Sequence, residues 1–228
     1  MTDLAIRVEN PCPERNRRIS KQYPFGKLRA GRIGAPQASY RTLRDTLTGA
    51  VAKPGLYEAT LDVTLKQLAE AAGGFTGEAR AALVGSSGGG FLSPGLFDIP
   101  LDFDSIAETG GDSSSGVIRV LGAGDCIIET VRECLAFSAS QSCGKCVPCR
   151  LGTRRLLDIV DRICAGEGSE ADLALAADLA EDIAAGALCG LGRGSVKPLL
   201  TGLRFFNQEF LDHVSGDRRC FARKCAVG

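Results

Sequence analysis

A chain of 228 residues, 44% hydrophobic and 24% charged, is long enough to bury a real core in one or two domains, and no run of 18 or more apolar residues offers a membrane span. Its formal net charge of zero argues against nucleic-acid binding, but residues 1–45 carry ten Lys/Arg against four Asp/Glu and the remainder 17 against 23, so a +6 arm cancels a −6 body. The chain holds ten cysteines, and its start, Met1–Ser20, is charged and broken by Pro11 and Pro13 rather than apolar, which points to a reduced cytoplasmic compartment with metal-bound thiols and not to a disulfide framework.

Residues 1–50 read as a basic, poorly regular arm. Pro11, Pro13, Pro24 and Pro36, with Gly26, Gly31 and Gly34, interrupt it too often for long elements, and a short helix is expected around Ser39–Thr48. Tyr23, Phe25, Leu28 and Tyr40 are interleaved with the charges, which suits a strap laid on an acidic partner surface. Residues 51–122 change texture. Leu56–Leu61 alternates as a half-buried strand, Thr64 caps a helix with Leu65, Leu68, Ala69 and Ala72 on one side, and Gly73-Gly74 stops it. Ala79–Val84 and Gly116–Leu121 are further strands, which makes a small α+β unit with a helix across a mixed sheet. Gly85–Gly90 is glycine-rich but is followed by Phe91 and no Lys-Ser/Thr, so it reads as a tight turn and not a phosphate loop.

Residues 123–215 are helical in period. Ile127–Ser140, Leu151–Cys164, a helix capped by Ser169 and ending at Gly186, and a helix capped by Ser195 and running through Phe206 and Phe210 predict an antiparallel four-helix bundle. Residues 216–228 form a tail containing Cys220 and Cys225.

The stretch Ser142–Arg150, S-C-G-K-C-V-P-C-R, sets Cys143, Cys146 and Cys149 at C-x2-C-x2-C spacing, and Cys189 follows in L-C-G-L-G-R-G. Four thiolates suit a [4Fe–4S] cluster or a four-cysteine zinc site. The third equally spaced Cys and the isolation of Cys189 favour iron–sulfur. In an up-down-up-down bundle the loop between helices one and two and the loop between helices three and four share one end, so these four thiols converge. Lys145, Arg150 and the free N–H groups opening helix two would offset the negative charge of such a centre.

At these residues the chain resembles the C-terminal iron–sulfur module of the flavin-site subunit of respiratory NADH dehydrogenase and of related NAD-linked hydrogenases and formate dehydrogenases. K-P-G-L-Y-E, T-L-K-Q-L-A-E-A-A-G-G, V-G-S-S-G-G-G-F, D-I-P-L-D-F and G-V-I-R-V resemble the SLBB β-grasp domain that precedes the module, so the likeness covers roughly Val51–Val214. The resemblance implies an α+β protein with an SLBB-like domain at 51–122 and a helical iron–sulfur domain at 123–215. It also implies one 4Fe-4S cluster on Cys143, Cys146, Cys149 and Cys189, which in the family accepts electrons from flavin. The family's Gly-rich flavin and nucleotide loops are not matched, Ala30–Pro36 included, so neither FMN nor NAD is expected on this chain.

Cys220 and Cys225 make a C-x4-C half-site for a second metal such as zinc, needing further ligands from Cys12 or a partner. Cys126, Cys134 and Cys164 read as core, and His213, in the helix before the tail pair, as a solvated helix residue with a metal ligand as the alternative. No carboxylate pair and no Ser–His or Cys–His dyad supports acid–base or nucleophilic catalysis. The expected function is a non-catalytic electron-transfer subunit of a hetero-oligomeric, NAD(P)-linked oxidoreductase, partnered by flavin- or cluster-bearing subunits. The alternative is a structural adaptor with a zinc or redox-silent site.

Overall fold

The computed structural model describes residues 7–9, 42–215 and 220–225, so Cys12 and the aromatic-rich part of the basic arm lie outside the described residues. Among these residues the strands are β1 (Arg7–Glu9), β2 (Thr42–Gly49), β3 (Gly55–Thr60), β4 (Ala79–Val84), β5 (Gly90–Leu92) and β6 (Val117–Gly122). They form one sheet in the order β1-β3-β2-β6-β4-β5. The β2–β6 pair is parallel and every other pair is antiparallel.

β2 replaces the helix expected over Ser39–Thr48. Thr42, Thr46 and Thr48 are β-branched and stiff at χ1, which favours an extended backbone. The period is two, not 3.6: Asp45 and Leu47 are buried while Arg44 between Leu43 and Asp45 is exposed. Helix α1 (Leu65–Ala71) begins where its sequence predicts, because Thr64 and Gln67 close a reciprocal capping box at 3.2 and 3.0 Å. A second helix, α2 (Phe103–Glu108), was not anticipated; Asp102 caps it by accepting from the N–H groups of Asp104 and Ser105.

The sheet is covered on both faces, which explains why β4 is apolar and buried through its four consecutive residues Ala81–Val84. Ala82, Val84, Leu92, Ile118 and Val120 face one core with α1 residues Leu65 and Leu68 and α2 residue Ile106. Ala81, Leu83, Phe91 and Leu121 face the other core, which the C-terminal helices complete.

Those helices are α3 (Ile127–Ser140), α4 (Thr153–Cys164), α5 (Glu170–Gly186), the short α6 (Gly190–Gly194) and α7 (Lys197–Val214). α3 packs on α4 and α7, α4 on α5, and α5 on α7. Ser169 and Asp172 form the capping box that starts α5. Ser195 does not cap α7 as the sequence suggested. Its hydroxyl donates to the Gly192 carbonyl at 2.8 Å and closes α6, leaving Val196 to precede a helix opened by Lys197-Pro198. Pro at this position costs nothing, since its missing N–H would have had no helical partner.

α7 also fastens the two layers. The Thr201 hydroxyl accepts from the Phe91 N–H at 2.9 Å and so occupies a free donor of edge strand β5. Phe206, where α7 kinks, packs edge-on against Phe91. Lys197 pairs with Asp112 at 3.0 Å, and Arg80 on β4 pairs with Glu209 at 2.7 Å.

Candidate metal centre

The C-x2-C-x2-C stretch occupies the link between α3 and α4, and Cys189 is the residue immediately before α6. α3 ends at Ser140, and the chain then reverses through Gly144, whose φ of +76° is readily adopted only without a Cβ. It re-enters helix as a π-turn, Pro148–Gly152, ahead of α4. Ser142 ties the ends of this loop together: its hydroxyl accepts from the Gly144 N–H and lies 3.3 Å from the Cys149 sulfur. The Thr153 hydroxyl donates to the Cys149 carbonyl at 2.6 Å, fixing the other side.

Cys149 is buried, Cys146 half-buried, and Cys143 and Cys189 exposed. Two contacts draw the 146–149 segment to the Cys189 turn. The Leu188 N–H, followed by that of Cys149, holds the Cys146 thiol below the ordinary thiol range, which is the state a metal ligand needs. Gly192 lies against Cys149 so closely that a Cβ there would stand 3.2 Å from Cys149 Cβ, 3.5 Å from its sulfur and 2.7 Å from Ala187 Cβ. A soft, thiol-only donor set, one thiol already biased toward thiolate and a glycine cradle beside a second fit an iron–sulfur cluster. Lys145, Arg150 and Arg193, all exposed in these two loops, supply positive charge beside it.

The rim of the site was not read from the sequence. Val147 (56% exposed), Leu151 (55%), Leu188 (71%) and Leu191 (36%) project apolar surface from the two cysteine loops. Val147, Pro148 and Leu151 also line a shallow depression of about 320 Å³ with Leu179 and Ile183. Singly such residues are ordinary; here four of them are gathered on the two cysteine loops as an apolar rim. No helix among the described residues is long and apolar enough to cross a membrane.

A second group lies elsewhere. Cys126, the residue before α3, meets His213 in the last turn of α7 and Cys220 and Cys225 of the tail, with all four ligand atoms within 4.8 Å of one another. His213 is fully buried, not solvated as expected. It follows buried Phe210 by three residues, so it falls on the apolar stripe of α7, and that phase is the signal that could have found it. Cys126 is buried too, but its sulfur stands 3.6 Å from His213 Nε2 and 3.7 Å from the Cys225 sulfur rather than among apolar groups alone. Burial works against ionising Cys220, yet the N–H groups of Cys225 and Lys224 outweigh it and bring that thiol down to about 7. Cys134, by contrast, is an ordinary core thiol, pushed up to about 12 by burial. Cys164 is also buried; it lies beside Glu129 and Cys225, but Arg132 engages the Glu129 carboxylate at 2.6 and 2.8 Å.

Residues 129–213 match the NADH-ubiquinone oxidoreductase-F iron-sulfur binding region, and residues 46–90 match the SLBB domain. The F subunit of the NADH-quinone oxidoreductase of Mycobacterium tuberculosis (strain ATCC 25618 / H37Rv) is 34% identical over 173 residues, which is 75% of this chain and 39% of that protein. The NADP-reducing hydrogenase subunit HndC of Solidesulfovibrio fructosivorans is 34% identical over 184 residues, 79% of this chain and 37% of that protein. An NAD+-reducing [NiFe]-hydrogenase in the H2-reduced state superposes with a TM-score of 0.68 at 27% identity, over 76% of this chain and 29% of that one. The chain therefore spans about two fifths of the length of these curated relatives.

Proposed function

We propose that this chain, which belongs to the family carrying the NADH-ubiquinone oxidoreductase-F iron–sulfur binding region behind an SLBB domain, is an electron-transfer subunit of an NAD(P)-linked oxidoreductase complex. Cys143, Cys146, Cys149 and Cys189 hold one [4Fe–4S] cluster. When bound, the cluster supplies one-electron storage between a flavin or cluster in a partner and the next centre. The reading rests above all on the approach of the Cys143–Cys149 loop to the Cys189 turn, through the Leu188 N–H at Cys146 and Gly192 at Cys149.

The chain's own residues then have distinct tasks. The backbone N–H groups at Cys146 stabilise thiolate, and the cations Lys145, Arg150 and Arg193 lower the cost of holding negative charge. Val147, Leu151, Leu188 and Leu191 exclude water when a partner docks, so that its redox group approaches the cysteine loops through a dry contact. The substrate chemistry belongs to the partners, and the complex works in the cytoplasm.

Anaerobically purified full-length chain should contain about four iron and four sulfide for this site and show a brown absorption that dithionite bleaches. Colourless protein with zinc on these cysteines would instead make the chain a structural adaptor.

A further inference from the structure

Cys126, His213, Cys220 and Cys225 come from three separate parts of the chain, and their separations have a chemical meaning. In a tetrahedral zinc site with Zn–S bonds of about 2.3 Å and a Zn–N bond of about 2.0–2.1 Å, sulfurs stand about 3.8 Å apart and sulfur and nitrogen about 3.5–3.6 Å. The observed Cys126–Cys225 and Cys126–His213 separations are 3.7 and 3.6 Å. The histidine is also set in the required tautomer. Its Nδ1 lies 2.7 Å from the Glu209 carbonyl, which can only accept, so Nδ1 carries the proton and Nε2 presents its lone pair to the sulfurs.

The tail is bent for the same purpose. Arg223 takes a φ of +52°, an uncommon conformation for a side-chain-bearing residue, and its N–H bonds the Cys220 carbonyl at 3.0 Å, folding Cys220 and Cys225 toward one point. Lys224 holds this turn to the body by pairing with Asp125 at 2.8 Å, next to Cys126. Glu209 accepts from the Ile127 N–H at 2.9 Å and fixes the start of α3.

We propose that these four residues form a second, mononuclear metal centre: a closed Cys3His site for a zinc-class divalent cation, separate from the cluster cysteines. Three soft sulfurs and one imidazole nitrogen select zinc over the hard cations, and four protein ligands leave no open position, so its role is structural. It sits where the sheet passes into the helices and clasps the tail to the beginning of α3 and the end of α7. Cys126 precedes α3 and the cluster loop follows it, so its 14 residues separate the two centres by about 20 Å.

The test is Zn2+ and Co2+ binding by the full chain, with iron measured in parallel. One Zn2+ per chain is expected in addition to the iron. Co2+ loaded in its place should show intense tetrahedral and sulfur-to-cobalt bands. Cys225→Ser and His213→Ala should each weaken Zn2+ binding by more than about 100-fold, beyond the 10–100-fold effect of an outer-shell change, while iron content stays at its wild-type value. Cys225→Ser alters only the tail and keeps the test valid if His213→Ala fails to fold. Wild-type protein with less than a tenth of a Zn2+ per chain and no tetrahedral cobalt spectrum would overturn the proposal. Loss of zinc from Cys143→Ser with Cys225→Ser unaffected would move the zinc to the other site and overturn it equally.

Discussion

Arg80 on β4 donates to Glu209 on α7 at 2.7 Å, and the same carboxylate accepts from the Ile127 N–H at 2.9 Å. One side chain thus joins the sheet, the first turn of α3 and the last turns of α7. Glu209 is 6% exposed and Arg80 only 25%, so deleting the carboxylate leaves a half-buried guanidinium without its counter-charge, held, among the described residues, only by the Asp125 carbonyl at 3.1 Å, and a buried N–H without its acceptor. Glu209→Ala should lower unfolding stability by about 2–4 kcal/mol, read from denaturant melts. Glu209→Gln, which keeps an acceptor for Ile127, should lose less. Equal losses in the two variants would show that the pair with Arg80 is the whole effect.

The Cys189 turn makes a sharper prediction, because two glycines there have opposite surroundings. A Cβ on Gly192 would stand 2.7 Å from Ala187 Cβ and 3.2 Å from Cys149 Cβ, whereas a Cβ on Gly190 meets nothing within 4 Å. Gly192→Ala should therefore push the turn off Cys149 and cut iron per chain severalfold, with Gly190→Ala near wild type. Matching iron contents would mean that the turn does not help hold the cluster.

Much of this site is legible in residues close together in the chain. Spacing alone is what puts Cys143, Cys146 and Cys149 forward as the proposed ligand loop, and the Thr64–Gln67 and Ser169–Asp172 boxes declare where α1 and α5 begin. What escapes the sequence is contact between distant segments. Cys126 and His213 are 87 residues apart and Cys126 and Cys225 are 99 apart, so nothing local distinguishes Cys126 from the core thiol Cys134. The Thr42–Gly49 strand escapes for a related reason: its alternation is short, and only pairing with β3 and β6 settles it as strand. The exposure of Leu151 and Leu188 is not legible either, since hydropathy alone cannot say which apolar side chains a fold leaves uncovered.

Those uncovered residues predict where a partner binds. Leu188 and Leu151 are 71% and 55% exposed on the two cysteine loops. A carboxylate in their place costs little in the free chain but would be desolvated in an interface. Leu188→Asp with Leu151→Asp should weaken association with the partner subunits at least tenfold while iron content holds. Phe103→Asp is the control, since Phe103 is 53% exposed but lies on α2. Equal weakening by the control would place the interface elsewhere.

Asp45 gives the protein a pH dependence of known sign. Its carboxyl is buried in β2 at 3% exposure, and burial raises its pKa from 3.8 to about 6. A group whose folded pKa is raised contributes its full stability below the unfolded pKa and loses it as pH climbs through the folded one. Between 3.8 and about 6 the unfolded chain sheds this proton while the folded chain keeps it, and above that range both are ionised. Going from pH 5 to pH 8 should then cost the wild type about 1–1.5 kcal/mol through this residue. Asp45→Asn cannot ionise, so urea midpoints for this variant should lack that part of the decline and exceed the wild type at pH 8. A variant whose midpoint falls with pH as steeply as the wild type would assign the decline to another group.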